Sequence, residues 1–361
     1  MSIANRVHIT KRTGASGGAQ LASRLVAIVV ALAASGLVML FMGYHPLEIF
    51  GKIITSSLST YSRFGETMNK TILLTMLSLG ISVAFRMKFW NIGAEGQFYM
   101  GAFGAALIAF GFPDLPAWLL LPLMGLCAFV FGGIWALIPA LIKAKFTTSE
   151  TLVTLMMNYI ATQLAAFFII VWEVPKGAGK IGIINQGTEA GWLPVVGGQK
   201  YLLVILVVAV LTVFMYIYLN YSKHGYEIAV VGESQRTASY AGIKVERVIV
   251  RTMVLSGAVC GLMGLLLTAG TDHTLTTTIV GGRGFTAVMV SWMAKFNPII
   301  MIFTSLLLVV LGRGASEISS TFGLNQSFSD ILTGIILFFI IGSEFFITYQ
   351  VSLRKSGKKE A

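Results

Sequence analysis

This sequence of 361 residues has few charged residues. Asp, Glu, Lys and Arg make up 11% of the chain, whereas hydrophobic residues make up 56% and the mean hydropathy is +0.82. A water-soluble domain carries about 25% charged residues. The composition therefore excludes a soluble globular protein and predicts an integral membrane protein whose apolar segments face lipid.

The sequence also lacks the motifs of common enzyme classes. No GxxxxGK[ST] phosphate-binding loop occurs, because the nearest match, residues 177–180, has neither the spacing nor the final Ser or Thr. HExxH and GxSxG are absent, and the four His are scattered without ligand spacing. Cys127 and Cys260 lie in apolar segments without CxxC spacing. We predict a protein that is not an enzyme and that holds no metal or cofactor itself.

Long apolar runs, by contrast, fill most of the chain. A span needs roughly 20 apolar residues, so the chain has material for about eight to ten spans. The longest runs cover residues 25–43, 67–85, 98–112, 118–142, 152–172, 201–221 and 252–270, followed by short pieces at 285–294 and 298–312 and a last span at 331–349. We predict an all-α, polytopic transmembrane helical bundle in which the short pieces are candidates for broken helices of a transport path. The GxxxG motif from Gly257 to Gly261 predicts close helix packing.

The basic residues indicate the orientation of the chain. Most of the 26 Lys and Arg fall in loops that are cytoplasmic if the N-terminus is inside. This rule explains the net charge of +11 without a nucleic acid partner and places both termini in the cytoplasm. We predict a basic cytoplasmic segment over residues 1–24, a transmembrane domain over residues 25–353 and a basic cytoplasmic tail over residues 354–361.

Several polar residues lie in or beside apolar helices. Such residues are costly in lipid unless they face a cavity or another helix. The block NIGAEGQ supplies Asn91, Glu95 and Gln97, and the fifth span contains Asn158. We predict that these four residues belong to a substrate pathway.

Structural alternatives to a ligand role stay open. Glu95 lies near a span end, where it would pair with Arg86 or Lys88 or cap a helix. Asn158 would form a hydrogen bond between helices. The run GGRGF at residues 281–285 either supplies a helix N-terminus for an anionic or polar ligand or is a re-entry turn without ligand contact.

Three blocks of the sequence resemble a known family. They are FWNIGAEGQFYMGA, TLVTLMMNYIA and YEIAVVGESQRTASYAGIKVERVIVRTMVLSGAVCGLMGLL, and they occur in the family's order. The chain resembles the permeases of bacterial ABC importers for branched-chain amino acids, simple sugars and nucleosides. Its NIGAEGQ block is similar to the nucleoside (guanosine-like) branch, whereas ribose-type permeases have a GGIDLS-like block there.

This resemblance implies a transport subunit driven by separate components. A cytoplasmic ABC ATPase would use the ATP, a second homologous permease would complete the channel, and an extracytoplasmic lipoprotein would deliver the substrate, expected to be a nucleoside. The chain would lie in the lipid of the bacterial cytoplasmic membrane and work by alternating access. Within the cytoplasmic segment 222–247, the residues expected to seat on the ATPase are Gly232, Glu233, Ala238, Ala241 and Gly242.

Other functions make different demands on the sequence. A simple-sugar ABC permease is the nearest alternative. An ion-coupled secondary carrier would need intramembrane acidic or His residues, and the few candidates are Glu95, Asp272 and Glu344. An intramembrane enzyme would need a nucleophile or metal constellation, which the sequence does not contain.

Overall fold

The fold is almost entirely helical. The structure is a computed structural model that describes residues 7–11, 17–146, 148–279, 281–323 and 325–353. Within them the elements are β1 (Val7–Lys11), α1 (Gly17–Phe41), α2 (Pro46–Leu58), α3 (Tyr61–Arg86), α4 (Ala94–Gly111), α5 (Ala117–Lys145), α6 (Glu150–Trp172), α7 (Leu202–Tyr221), α8 (Lys223–Glu233), α9 (Gln235–Tyr240), α10 (Val245–Gly270), α11 (Arg283–Met293), α12 (Pro298–Phe322), α13 (Gln326–Thr348) and β2 (Tyr349–Leu353). The predicted basic tail, residues 354–361, lies outside the described residues.

Length and hydropathy identify the membrane-crossing helices. Among the described residues, six helices can cross a membrane, namely α3, α5, α6, α7, α10 and α12, and a seventh span results if α1 and α2, bent by 117°, count as one. The predicted all-α polytopic bundle is confirmed. The estimate of eight to ten spans also counted the runs that correspond to α4, α11 and α13, which are not among these six helices. The orientation of the termini stays a prediction.

The helix boundaries follow the predicted runs, with one correction and one omission. The piece predicted at residues 298–312 is not a half-helix, because α12 continues for 25 residues to Phe322. Its second half contains Arg313 and Glu317, which lower the hydropathy without breaking the helix, and Gly323, with φ +63°, follows its end. The amphipathic α2 was missed because it has only 13 residues and carries Glu48 and Lys52. The short piece at 285–294 is confirmed as α11, with 11 residues.

The chain forms two compact units. The first contains residues up to Phe64 and from Val310 onward. In it α1 packs on α13, β1 pairs antiparallel with β2 from Val7 opposite Leu353 to Lys11 opposite Tyr349, and Arg63 pairs with Glu317 at 3.4 Å. Its core contains Met39, Ile49, Ile53, Ile318, Phe328 and Leu332.

The second unit, residues 65–309, contains the candidate site. Burial divides its helices into central and peripheral ones: 83% of the apolar window of α3 and 78% of that of α10 are buried, against 33% in α5 and α6 and 28% in α7. Helices that keep most of their apolar surface exposed face lipid. The central pair α3 and α10 therefore carries the interior of this unit.

Close glycine contacts hold α10 against α5. A Cβ added at Gly257 would lie 2.4 Å from the carbonyl oxygen of Gly132, and one at Gly261 would lie 2.3 Å from that of Ala128. Small residues allow two helix backbones to approach this closely and to gain van der Waals contact in lipid. The packing predicted from the GxxxG motif is confirmed.

We predict that Gly261→Ala destabilises the protein. The added methyl group forces α10 and α5 apart, and overpacking of this kind costs about 1–3 kcal/mol. The expected result is a lower thermal unfolding midpoint of the detergent-purified chain. The control is Gly111→Ala at the end of α4, where no atom lies within 4 Å of the new Cβ. Equal midpoints for the two variants would contradict the backbone contact.

Candidate functional site

A buried, irregular segment separates α3 from α4. Residues 87–93 leave the helical path after Arg86, and Lys88 adopts a left-handed backbone with φ +57°. Met87, Phe89 and Asn91 are buried. Because lipid offers no hydrogen bonds, irregular backbone inside a bundle needs partners from the protein.

Asn91 and Gln97 form a closed pair inside this segment. Asn91 Nδ2 donates to Gln97 Oε1 at 3.1 Å, and Gln97 Nε2 donates to Asn91 Oδ1 at 3.1 Å. Asn91 also donates to Ser256 Oγ at 3.1 Å, and Ser256 donates to the Gly80 carbonyl at 2.7 Å. The pair therefore connects α4 with α10 and α3, and both amide side chains are buried.

Asn158 holds the start of α4 against α6. Its Oδ1 accepts from the Gly96 N–H at 2.8 Å, and its Nδ2 donates to the Ile92 carbonyl at 2.7 Å. Thr154, one turn earlier on α6, accepts from the Ile92 N–H at 3.2 Å. The interhelical hydrogen bond considered for Asn158 is thus present, and its place on a substrate path stays a prediction.

Glu95 meets the N-terminus of α11. Its Oε1 accepts from the Gly284 N–H at 3.2 Å, and a Cβ at Gly284 would clash with the Glu95 side chain. The pairing considered with Arg86 or Lys88 is wrong: Arg86 donates to Asn220 Oδ1 at 3.2 Å and Lys88 pairs with Glu233 at 3.6 Å. The helix N-terminus predicted in the run at 281–285 therefore exists, and a carboxylate of the same chain lies at it.

The loop at residues 173–200, which is exterior if the N-terminus is inside, is held by two sets of contacts. At its start, the Glu173 carboxylate accepts from Gly177 at 2.7 Å and from Gly179 at 3.0 Å, which lowers the pKa of Glu173. Further on, the Ile181 N–H donates to the Leu275 carbonyl at 3.1 Å and the Ile184 N–H to the His273 carbonyl at 2.8 Å. The loop is thus attached to the segment that connects α10 to α11.

The cytoplasmic segment predicted at 222–247 contains α8, α9 and the start of α10. The Ser222 hydroxyl caps α8 by accepting from Gly225, and the Ser234 hydroxyl caps α9 by accepting from Thr237. A hollow of about 250 Å³ lies on this element, lined by Tyr226, Ala229, Val230, Glu233, Ser234 and Thr237.

Two contacts attach α8 to the central helices. Gly232 lies against the end of α3, where an added Cβ would be 2.5 Å from the Arg86 carbonyl oxygen. Glu227 pairs with Arg251 of α10 at 3.0 Å. Burial alone would raise the pKa of Glu227, but the hydrogen bond and charge of Arg251, with the charges of Lys223 and His224, lower it. No local sequence pattern indicates this pair, because 24 residues separate its members.

The predicted coupling residues divide into two groups by burial. Gly232 and Ala238 are buried and fix the shape of the element, whereas Glu233, Ala241 and Gly242 are exposed. Gly242 has φ +78°, a conformation that only glycine adopts without strain. Among the described residues, no group of three His, Cys, Asp or Glu side chains could hold a metal ion.

The sequence comparison identifies the class of this protein. Residues 64–341 match the family described as branched-chain amino acid transport system, permease component, and this chain belongs to that family. It is the membrane-spanning permease component of an ABC importer, a multi-pass transport subunit rather than an enzyme. The family implies, in general, a cytoplasmic ATPase and a substrate-binding partner. The family predicted from the three sequence blocks is confirmed.

Three relatives show the range of substrates within this similarity. The guanosine ABC transporter permease protein NupP of Bacillus subtilis is 30% identical over 92% of this chain and 96% of its own length. The nucleoside ABC transporter permease protein NupB of Lactococcus lactis is 29% identical over 88% of this chain and 89% of its own. The glucose ABC transporter permease protein TsgB13 of Haloferax volcanii is 27% identical over 91% and 89%.

We predict that Asn158→Ala mainly destabilises the chain. Removal of the amide leaves the Ile92 carbonyl and the Gly96 N–H without their partner, at a cost of about 1–3 kcal/mol. The expected result is a lower unfolding midpoint together with reduced transport. The control is Gln163→Ala, an exposed amide on the same helix. Lost transport at an unchanged midpoint would instead assign Asn158 to substrate contact.

Proposed function

We propose that this chain imports nucleosides across the bacterial cytoplasmic membrane by alternating access, as one of two homologous permeases. Two of the three relatives described above are named as guanosine or nucleoside permeases. The NIGAEGQ block supports the same branch. An extracytoplasmic lipoprotein hands the nucleoside to the exterior face, where the loop at 173–200 provides an ordered surface.

A cytoplasmic ABC ATPase drives the cycle by docking on α8 and α9. The observation that carries this proposal is the double attachment of α8, through Gly232 to the end of α3 and through the pair Glu227–Arg251 to α10. A displacement of α8 is therefore passed to the two most buried helices of the unit. Such rigid-body movements are a common way to open and close a transport path.

Exposed tyrosines provide the contact area for the ATPase. Tyr240 is 93% exposed and Tyr226, at the edge of the hollow, is 67% exposed. Aromatic side chains supply a large share of binding energy at protein interfaces. Glu233, Ala241 and Gly242 complete this surface, while Gly232 and Ala238 keep its shape.

The four predicted pathway residues act mainly by shaping the wall of the substrate path. Asn91, Gln97 and Asn158 use their amides to fix the irregular segment before α4, and Glu95 positions α11 beside it. A permease that receives its substrate from a selective binding protein needs little affinity of its own. These four residues therefore govern the opening of the path more than the choice of ligand.

A simple sugar is the second candidate substrate. The relative from Haloferax volcanii is named as a glucose permease and is similar over nearly the same length. Uptake of labelled guanosine, with unlabelled glucose as competitor, separates the two. An ion-coupled carrier is distinguished by a protonophore, which would abolish its uptake while ATP depletion would not.

We predict that the double variant Tyr226→Ala/Tyr240→Ala loses the ATPase. Truncation of two interface aromatics weakens binding by roughly tenfold or more. Tagged chain is purified from its own membranes in mild detergent, and the recovery of a Walker A ATPase is measured by mass spectrometry together with ATP-driven guanosine uptake.

The matched control is Tyr61→Ala at the first residue of α3, where the side chain is 73% exposed. This variant should keep the ATPase and the uptake. Purification of the wild-type chain alone, with ATP-independent uptake, would overturn the proposed function.

A further inference from the structure

The segment between α10 and α11 enters the interior of the second unit. It contains the sequence TDHTLTTT at residues 271–278 and is not helical. Tyr99, which is fully buried on α4, donates its hydroxyl proton to the Thr276 carbonyl at 2.9 Å. A few residues later α11 begins beside Glu95. Polar, irregular backbone in the interior of a membrane bundle lines a cavity or binds other protein groups.

The backbone of this segment is attached to the exterior loop. Besides the bonds of Leu275 and His273 described above, the Thr277 N–H donates to the Gly179 carbonyl at 3.1 Å. The His273 ring stacks on Trp192 with 3.9 Å between the ring centroids. His273 has φ +50°, which is rare for a residue other than glycine. The segment is therefore fixed in position by its neighbours.

Its side chains, in contrast, have unused hydrogen-bonding atoms. Within the described part of the chain, the buried atoms without a hydrogen-bond partner include Asn69 Oδ1, His273 Nδ1 and Thr274 Oγ1. Asn69 is 2% exposed and reaches the same segment, because its Nδ2 donates to Thr271 Oγ1 at 3.0 Å. A buried polar atom without a partner is costly, and each such atom needs an explanation.

The same segment also carries a carboxylate. Asp272 follows Thr271 directly and is exposed, whereas Asn69 lies buried behind Thr271. Burial raises the pKa of Asp272, whereas the charges of Arg283, Lys70 and Lys200 act in the opposite direction. The segment and Asn69 thus offer carboxylate and amide oxygens, which accept hydrogen bonds, together with a hydroxyl that both donates and accepts.

We propose that Asn69, Thr271, Asp272, His273 and Thr274 form a binding site for a neutral ring that carries hydroxyl groups. Asp272 and Asn69 accept from neighbouring hydroxyls of the ligand, and Thr274 completes the contact. The unused oxygens of Asn69 and Thr274 accept hydrogen bonds, which the hydroxyl groups of such a ring donate and an ionised phosphate does not. This inference rests on the proposed function, in which the ring is the ribose of a nucleoside; a hexose offers the same chemistry.

Binding measurements with paired ligands test this site. Full-length chain, together with the subunits that purify with it, is placed in lipid nanodiscs and titrated with uridine, 2′,3′-dideoxyuridine, uridine 5′-monophosphate and glucose. We expect Asp272→Asn to weaken uridine binding roughly tenfold, as for the loss of a hydrogen bond to a charged group. The affinity for 2′,3′-dideoxyuridine, which lacks the ring hydroxyls, should stay unchanged.

Two further variants separate recognition from folding. Thr274→Val removes a hydroxyl without a partner in the chain, so it should reduce uridine binding at an unchanged unfolding midpoint. Asp114→Asn, an exposed aspartate in the loop before α5, should change neither quantity. A stronger loss for glucose than for uridine would keep the site and identify a hexose as its ligand.

Several results would overturn the site. They are equal losses for uridine and its dideoxy analogue, no loss in either variant, tighter binding of the monophosphate, or a wild-type chain that binds none of the four ligands. These outcomes do not depend on the ATPase. If the ATPase is recovered and uptake is driven by ATP, but uridine binding is unaffected in the site variants, the site alone is rejected. If the ATPase is absent, the proposed function is rejected.

Discussion

Hydrogen bonding of the irregular backbone before α4 is the interaction on which the second unit depends. The buried residues of the segment at 87–93 lie among helices, where their polar groups need partners from the protein. Asn158 serves both a carbonyl and an N–H of this region, and Asn91 joins it to Gln97 and Ser256. A fully satisfied network of this kind fixes one arrangement of neighbouring elements. The position of α4, and of everything that packs on it, therefore follows from a few buried amides.

The same constraint is met differently in the segment at 271–278. There the backbone forms hydrogen bonds with the loop at 173–200, but the side chains of Asn69, His273 and Thr274 keep atoms without partners. The two polar regions thus differ in a property that sequence composition does not reveal. In the first region, the polar side chains form hydrogen bonds within the fold. In the second region, some of their atoms have no partner and remain available to a ligand. This difference, and not polarity itself, separates a structural network from a place that can receive a ligand.

Composition and hydrophobic runs were sufficient to predict the class of fold, because lipid imposes the same requirement on every span. Local chemistry also predicted the short α11 and the close packing at Gly257 and Gly261. The predicted length of α12 was wrong, because Arg313 and Glu317 end the apolar run but not the helix. The contact of Glu95 with Gly284 joins residues 189 positions apart, and no local pattern encodes such a pairing. The hydrogen bonds of the Asn91 and Asn158 amides to other helices depend on the same long-range geometry.

Polar contacts hold both ends of the short helix α11. Glu95 accepts from its first turn, and near its other end Ser291 donates to the Ser78 carbonyl of α3 at 2.9 Å. The segment before it carries Asp272 and is attached to the loop at 173–200. A movement of α11 relative to α3 and α4 must therefore break or exchange these bonds together. Since each unpaired group costs free energy in a lipid-surrounded interior, intermediate positions of α11 are less stable than positions in which every group is paired. A short helix held at both ends by polar contacts is therefore suited to the discrete end states that the proposed alternating access requires.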